Sequence, residues 1–190
     1  MLEVENLHLH AGTHPVACGY SVQFHPGEVT AIIGPNGCGK TSLMRALFGE
    51  LHPSAGHIRL NGDDQREQRL PVWRQRFGYM PQDTRLDLDL STLEVVMLGR
   101  LDRLGMRVDD DTVLAALNAL EAVGLLHIAE RPIYALSGGQ RQMALFAQVL
   151  LRSPEVMMLD EPVSALDMRY QVVLMDHLHK QTRAHNWITV

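Results

Sequence analysis

Short apolar runs alternate along the chain with longer segments of helical spacing, which is the pattern of an α/β protein. The run VTAIIG (29–34) is continuous, apolar and rich in β-branched residues, so it predicts a strand buried on both faces of a parallel sheet. A glycine-rich turn and the helical segment TSLMRALFGE follow it. The run VMMLDEP (156–162) predicts a second buried strand, 167–185 predicts a helix, and WITV begins another strand.

The middle of the chain predicts two more strands and then changes character. HIRLNG (57–62) predicts a strand closed by an Asn-Gly turn, and RFGYMPQ (76–82) predicts a strand that stops near Pro81. From Asp83 onward the stretch DTRLDLDL is acidic, and we expect it to be irregular.

Two helices are predicted after that stretch. STLEVVMLGRL predicts a helix with Ser91 as N-cap and Glu94 three residues later, the pattern of a capping box. VDDDTVLAALNALEAVGL predicts a longer helix that ends near Gly124. Its apolar residues 113, 117 and 120 lie on one face, which we expect to be buried.

Composition fits one domain that contains a helical insertion. At 190 residues and 46% hydrophobic composition the chain can bury a sizeable core. The beginning, MLEVENLHLHAG, alternates like a strand and lacks the apolar run of a signal peptide. We expect a single domain, with residues 1–82 and 151–190 forming its core and 83–150 a helical subdomain.

Charge and cysteine content exclude several function classes. The net charge is -5, with 17 basic and 22 acidic residues and no dense basic block, so no nucleic-acid partner is expected. The two cysteines cannot form a disulfide framework, which favours a reducing, cytosolic setting. No run approaches the roughly eighteen apolar residues that a membrane span needs. The ten histidines are scattered, so surface or core histidines are favoured over a metal site.

The glycine-rich turn has the spacing of a phosphate-binding P-loop, G-x-x-x-x-G-K-[ST]. Its glycines would let successive backbone N–H groups face a phosphate at the positive end of the following helix. Lys40 would contact the β- and γ-phosphates, and the Thr41 hydroxyl would bind Mg²⁺. A purely structural turn is the alternative, although the strand before it and the helix after it favour nucleotide binding. The residues of this candidate site are Gly34, Pro35, Asn36, Gly37, Cys38, Gly39, Lys40, Thr41 and Ser42.

Two adjacent carboxylates end the predicted strand at 156–159. A P-loop protein needs a carboxylate there to hold the metal, and Asp160 supplies it. Glu161 could orient or deprotonate an attacking water. An Asp-Glu pair alone is often only a solvated strand end, but the P-loop makes the hydrolytic interpretation the better one.

The sequence YALSGGQRQ (134–142) begins another predicted helix. Ser137 and Gln140 are spaced as a capping box, and this is the simplest interpretation. A cap does not need the adjacent Gly138 and Gly139, which weaken a helix by roughly 1 kcal/mol each relative to alanine. Exposed N–H groups at a helix N-terminus attract anions, so a second phosphate site is the alternative.

These motifs, in this order, resemble the nucleotide-binding subunit of an ABC transporter over almost the whole chain. The P-loop (34–41) is followed by Gln82 in YMPQ as the Q-loop, LSGGQ (136–140) as the signature, VMMLDE (156–161) as Walker B, and SALD (164–167) as the D-loop. The resemblance implies an α/β fold: a RecA-like P-loop NTPase core with a mostly parallel sheet, an N-terminal antiparallel β part and an inserted helical subdomain.

The resemblance also implies a mechanism shared between two chains. Such domains pair head to tail, so the signature residues (Ser137, Gly138, Gly139 and Gln140) of one contact the γ-phosphate of ATP on the P-loop of the other. ATP and Mg²⁺ are the implied cofactors. Glu161 would polarise the water, Asp167 would assist across the interface, and Gln82 would contact the metal, alongside Thr41 and Asp160, or the water.

The family's partners place such a subunit at a membrane. The resemblance implies a homodimer or a paired ABC domain docked, through the region after Gln82, on integral membrane permease subunits. A periplasmic or surface substrate-binding protein would take part indirectly. The expected location is peripheral, on the cytoplasmic face of the inner membrane. The sequence STLEVVMLGRL is similar to the same segment in the ATPases of importers of the iron-siderophore, haem and cobalamin type. The resemblance therefore implies import of an iron chelate or similar metal complex.

The chain departs from the family pattern at several positions. The family's adenine-stacking aromatic falls at about His10 or Ala11, so His10 stacks on the base or this contact is lost, and Tyr20 lies too late, in a predicted strand core. Val163 replaces a more common threonine. The family's switch histidine lies beyond Val190, so we expect a C-terminally truncated form that hydrolyses ATP poorly.

Two alternatives to an importer subunit stay open from the sequence. One is a soluble ABC ATPase that acts without a transporter, although the chain shows no second ATPase domain, coiled-coil insertion or basic arm of the kind such proteins carry. The other is an ATP-binding form with little hydrolysis.

Overall fold

Two units make up the described chain. The computed structural model describes residues 1–12, 14–82, 89–103, 108–164 and 166–190. The strand unit comprises Met1–Tyr79, Glu155–Asp160 and Gln181–Val190, and the helical unit comprises Met80–Pro154 and Glu161–Lys180. Most of the stretch after Gln82 that was expected to be irregular (83–88), and Ala165 of the SALD motif, lie outside the described residues.

An antiparallel sheet forms the N-terminal part of the strand unit. Its strands are β1 (Leu2–Ala11), β2 (His14–Phe24), β3 (Ala55–Leu60) and β4 (Asp63–Asp64), in the order β2-β1-β3-β4. Asn61 and Gly62 join β3 to β4 with φ of 54° and 90°. Two positive φ angles are what a tight hairpin turn requires, so the predicted Asn-Gly turn is confirmed.

A three-stranded sheet contains most of the Walker B segment in its middle strand. Its strands are β5 (Phe77–Met80), β6 (Val156–Leu159) and β7 (Ile188–Thr189), in the order β5-β6-β7. All residues of β6 are buried, and Val156 pairs in parallel with Ile188. The strands predicted at 76–82, 156–162 and 187–190 are therefore confirmed.

The strand predicted at 29–34 forms only in part, and the prediction that it is buried is wrong. Val29 makes a parallel bridge to Thr189, and the Thr30 N–H donates to the Thr189 carbonyl at 2.8 Å. Beyond this point Ala31 is exposed and Ile33 is 92% exposed. Among the described residues, no strand pairs with the segment after Thr30.

The core of the strand unit fixes the helix that follows the P-loop. Helix α1 (Lys40–Leu47) buries the apolar residues of its inner face against the sheets. Helix α2 (Leu70–Gln75) contributes Trp73, which is fully buried and donates its Nε1–H to the Leu47 carbonyl at 2.9 Å. This bond satisfies a carbonyl at the end of α1, which has no partner within the helix.

Helices dominate the second unit. They are α3 (Thr92–Met97), α4 (Asp110–Ala122), α5 (Gly138–Arg152) and the first part of α6 (Met168–His185). Helices α3, α4 and α5 pack against one another. The capping box of α3 is confirmed, because the Ser91 N–H donates to Glu94 Oε2 at 2.7 Å and the Glu94 N–H donates to Ser91 Oγ at 3.2 Å. None of the described helices is long and apolar enough to cross a bilayer.

Helix α4 ends as predicted, but its buried face is rotated. Gly124 follows it with φ of 75°, a conformation that favours glycine. The most buried positions are Thr112, Ala116 and Leu120, whereas residues 113 and 117 of the predicted face are only half-buried. Small side chains at 112 and 116 allow close approach to the neighbouring helices, and apolar periodicity alone underweights such residues.

Candidate functional site

The P-loop turns through backbone conformations that favour glycine. Gly37 and Gly39 have φ of 81° and 100°. Gly39 also lies against β2, since a Cβ there would stand 3.0 Å from Val16 Cγ1. Any other residue at 39 would be strained in its backbone and crowded by Val16. The fold therefore requires glycine at this position.

Charged and nucleophilic side chains lie on the same loop. Lys40 Nζ donates to the carbonyls of Gly34 at 2.8 Å and Pro35 at 3.1 Å, so its ammonium group is held over the loop. Cys38 is exposed, and its Sγ lies 2.8 Å from where a Cβ on Gly34 would stand. The thiol thus fills the space inside the turn. Pro35, Asn36 and Thr41 are exposed, and Ser42 is half-buried.

Asp160 follows β6 and has an oxygen without a partner. The residue is 7% exposed, and its Oδ2 accepts no hydrogen bond from the described residues. Tyr79 in the same unit has its pKa raised to about 12, by burial and then by the Asp160 charge. A buried carboxylate oxygen without a donor is what a cation ligand needs, so the chemistry of Asp160 fits Mg²⁺.

The rest of a cation's ligands would have to come from a bound nucleotide. Among the described residues no group of three or more His, Cys, Asp or Glu side chains could hold a metal ion. Mg²⁺ in phosphoryl-transfer sites is typically held by one or two protein oxygens together with substrate phosphates. Asp160, together with a hydroxyl such as that of Thr41, matches this requirement.

Glu161 has a backbone conformation that is rare for residues other than glycine. Its φ is 51°, in the left-handed region that non-glycine residues rarely adopt. Its carbonyl accepts from the Ser164 N–H at 3.2 Å and from Ser164 Oγ at 2.9 Å. Its carboxylate Oε2 accepts from Gln82 Nε2 at 2.7 Å. The structure thus brings together two predicted site residues, Gln82 and Glu161, that lie far apart in sequence.

Side chains from two helices hold the loop after Glu161. Gln142 on α5 donates to the Pro162 carbonyl at 2.6 Å, and Gln171 on α6 donates to the carbonyls of Val163 at 3.3 Å and Leu166 at 3.0 Å. The sequence reasoning missed both glutamines. The available signal for Gln142 was a polar residue beside the apolar run MALFA of α5.

The signature residues form a complete capping box at the start of α5. Ser137 Oγ accepts from the Gln140 N–H at 3.2 Å, and Gln140 Oε1 accepts from the Ser137 N–H at 3.1 Å. Gly138 has no positive φ, and a Cβ there would meet nothing within 4 Å. Neither the backbone nor the described neighbours thus require glycine at 138. The cap is confirmed, and the bare backbone at 138 supports the alternative that an external ligand approaches this end of α5.

Asp167 and the residues near the expected adenine contact have their own partners. Asp167 is exposed, and its Oδ1 accepts from the Tyr170 N–H at 3.0 Å, as an N-cap of α6 does. His10 on β1 has its Nδ1 3.2 Å from Ser54 Oγ. Tyr20 lies on β2 but is 39% exposed, so the expectation that it belongs to a strand core is wrong. Residues 18–21 of β2 are all exposed, so this part of the strand buries neither face.

Comparisons with known proteins show which family the chain resembles. The family model described as "ABC transporter" matches residues 18–164. A hemin import ATP-binding protein of Pseudomonas entomophila is 42% identical over 176 residues, 90% of this chain and 68% of its own length. The ferric enterobactin transport ATP-binding protein of Escherichia coli is 36% identical over 186 residues, 96% of this chain and 68% of its own length.

A solved structure supports the same family. The chain is similar to cbiO1 from Clostridium perfringens, described as part of the ABC transporter complex cbiONQ, with a TM-score of 0.84 and 30% identity over 99% of this chain and 75% of that one. The fold predicted from the motifs, a P-loop NTPase core with an antiparallel N-terminal part, is thus confirmed. Because the family model matches most of its length and these relatives are 36% and 42% identical to it, the chain belongs to the ABC transporter family and is an ATPase of that family.

Proposed function

We propose that this chain powers the import of an iron chelate, such as haem or a ferric siderophore, through a membrane permease. The main support for this substrate class is the similarity of the chain to hemin and ferric enterobactin ATP-binding proteins, at 36% and 42% identity over 90% or more of its length. Substrate identity is set largely by other subunits in this arrangement. The similarity therefore supports the class of chelate rather than one compound.

The nucleotide is held through its phosphates in this proposal. Backbone N–H groups between Gly34 and Gly39 donate to the phosphate oxygens, and the Lys40 ammonium turns from the loop carbonyls to the β- and γ-phosphates. Asp160 and Thr41, with Gln82, would hold Mg²⁺, and the ion would neutralise phosphate charge. The orphaned Oδ2 of Asp160 and the exposure of Thr41 support these roles.

Glu161 acts on the attacking water. The water oxygen bonds to the γ-phosphorus, the bond from that phosphorus to the bridging oxygen breaks, and the water proton passes to the Glu161 carboxylate. Gln82 orients that carboxylate by donating to its Oε2. Held by this bond and by its constrained backbone, the carboxylate needs little rearrangement when the proton moves.

The helix α5 of one chain completes the site of a second chain. The Ser137 hydroxyl and the bare backbone at Gly138 and Gly139, with Gln140 in the same turn, face the γ-phosphate bound to the partner's P-loop. Asp167 stands at the start of α6 and assists from the same side. The exposure of Ser137 and Gly138, and the open space around the latter, support this role.

The assembly is a head-to-tail pair docked on permease subunits. The pair lies peripherally on the cytoplasmic face of the inner membrane, and a substrate-binding protein delivers the chelate from the far side. The cbiONQ complex, of which the similar cbiO1 is a part, supports the association with further subunits.

Growth on defined iron sources tests the proposal. Deletion of the gene in its source organism is expected to abolish growth on haem or on ferric siderophore as sole iron source, while growth on excess inorganic iron continues. The wild-type gene restores growth and the Glu161→Gln variant does not. Undiminished growth of the deletion strain on both chelates would refute the substrate class, and restoration by Glu161→Gln would refute the role of hydrolysis.

A further inference from the structure

A buried glutamine joins helix α5 to the loop that carries Glu161. Gln142 lies one turn into α5 and is 2% exposed, among the buried side chains of Met143 to Ala147. Its Nε2 donates to the Pro162 carbonyl at 2.6 Å. Its Oε1 is buried and accepts no hydrogen bond from the part of the chain that the structure describes.

The orientation of this amide follows from its partner. A carbonyl oxygen only accepts hydrogen bonds, so the nitrogen of Gln142 must face Pro162 and the oxygen must point away. A buried acceptor without a donor costs free energy, and a methionine would fill a similar volume without that cost. Packing alone thus favours an apolar residue at position 142.

The hydrogen bond from Gln142 holds the peptide group that follows Glu161. Glu161 has φ of 51°, and such a conformation persists only where surrounding contacts hold it. Ser164 holds its carbonyl, Gln82 contacts its carboxylate, and Gln142 fixes the next carbonyl along the chain.

We propose that Gln142 is a positioning residue for hydrolysis. By holding Pro162, it keeps Glu161 in the left-handed conformation in which its carboxylate meets Gln82. It does so from the helix whose first turn carries Ser137, so one rigid element serves both the signature and the carboxylate. This inference rests on the proposed role of Glu161 as the residue that acts on the water.

The Gln142→Met variant removes the donor while keeping the volume. In the full subunit assembled with its permease, kcat for ATP hydrolysis is expected to fall about tenfold or more, because a small displacement of a catalytic group has an effect of this size. KM for ATP is expected to stay within about twofold, since the P-loop is unchanged. Gln75→Met is the matched control, because Gln75 is exposed at the end of α2 and should leave both constants unchanged.

The Gln142→Glu variant adds a second measurement, the pH dependence of kcat, which would not change if Gln142 served only in packing. The introduced carboxyl can donate to the Pro162 carbonyl only when protonated, and burial beside a carbonyl raises its pKa. The ratio of kcat in this variant to kcat in the wild type is therefore expected to rise as the pH falls through that raised pKa. Gln142→Met has no titrating group at this position and should show no such rise.

Each outcome decides the proposal. Wild-type kcat in a folded Gln142→Met protein, or a kcat ratio for Gln142→Glu that does not change with pH, would overturn it. Failure of both variants to fold would overturn it too, since the role would then be structural. The role of Glu161, on which this proposal rests, is tested separately. If the Glu161→Gln variant hydrolyses ATP at the wild-type rate, the proposed role of Glu161 is wrong. If Glu161→Gln is inactive and Gln142→Met has wild-type activity, only the positioning role of Gln142 is wrong.

Discussion

Single residues of the P-loop serve the fold and the ligand together. Gly39 is required by its backbone and by Val16, whereas Cys38 could be replaced by another small residue without strain on the backbone. The Cys38 thiol is exposed and packs inside the turn against Gly34. A bulky group on this sulfur would therefore occupy the volume that the phosphates need.

Modification of Cys38 tests its position in the nucleotide site. Treatment with a maleimide is expected to weaken ATP binding about tenfold or more, a loss of roughly 1.4 kcal/mol, and prior addition of ATP should protect the thiol. Fluorescence titration with a nucleotide analogue and mass spectrometry measure the two effects. Cys18→Ser is the control, because Cys18 is the other exposed cysteine and its loss should leave the inhibition unchanged. Full labelling of Cys38 with unaltered ATP binding would remove it from the site.

Helices α3 and α5 begin with the same device, although only one is proposed to bind a phosphate. Ser91 with Glu94 and Ser137 with Gln140 each make both bonds of a capping box. The two motifs differ in the pair of residues after the serine, which is a threonine and a leucine in α3 but two glycines in α5. The cap therefore accounts for the serine in each motif but leaves the glycines of α5 unexplained.

Paired substitutions separate the cap from phosphate binding. Ser91→Ala and Ser137→Ala are each expected to lower the free energy of unfolding by about 1 kcal/mol, because each removes an N-cap. Only Ser137→Ala should also weaken dimer formation in ATP. Chemical denaturation and sedimentation measure the two quantities. Equal effects of both substitutions on dimer formation would leave the signature serine with a structural role alone.

Much of the element order could be predicted from the sequence because strong local signals set it. Asn61-Gly62 specified a turn, Ser91 and Glu94 specified a helix start, and the apolar run before Asp160 specified a buried strand. The partial strand at 29–34 could not be predicted, because its burial depends on how far a strand distant in sequence extends beside it. The contacts of Gln142 and Gln171 with the loop after Glu161 could not be predicted for the same reason, because they join segments that only the tertiary structure brings together.

In the whole molecule, the predicted site residues are divided between the two units. The P-loop and Asp160 belong to the strand unit, whereas Gln82, Glu161 and the signature belong to the helical unit. The proposed dimer makes the signature of each chain act on the nucleotide of the other. The subdomain bounds expected at 83–150 stay a prediction, as do the partners and the membrane location.

Complementation between two defective chains tests whether the signature of one chain acts on the ATP bound to another. Lys40→Ala impairs the P-loop and Ser137→Asp places a negative charge where the γ-phosphate would lie, while aspartate preserves the helix cap. Both are made in the Glu161→Gln background, so that hydrolysis cannot dissolve the complex. Sedimentation in Mg²⁺ and ATP then gives the fraction of dimer for each variant alone and for their equimolar mixture.

Each variant alone is expected to stay monomeric and the mixture to form dimers, because one intact P-loop then meets one intact signature on the other chain. Monomers in the mixture as well, under conditions where the Glu161→Gln parent forms dimers, would contradict a signature that acts on the ATP of its partner.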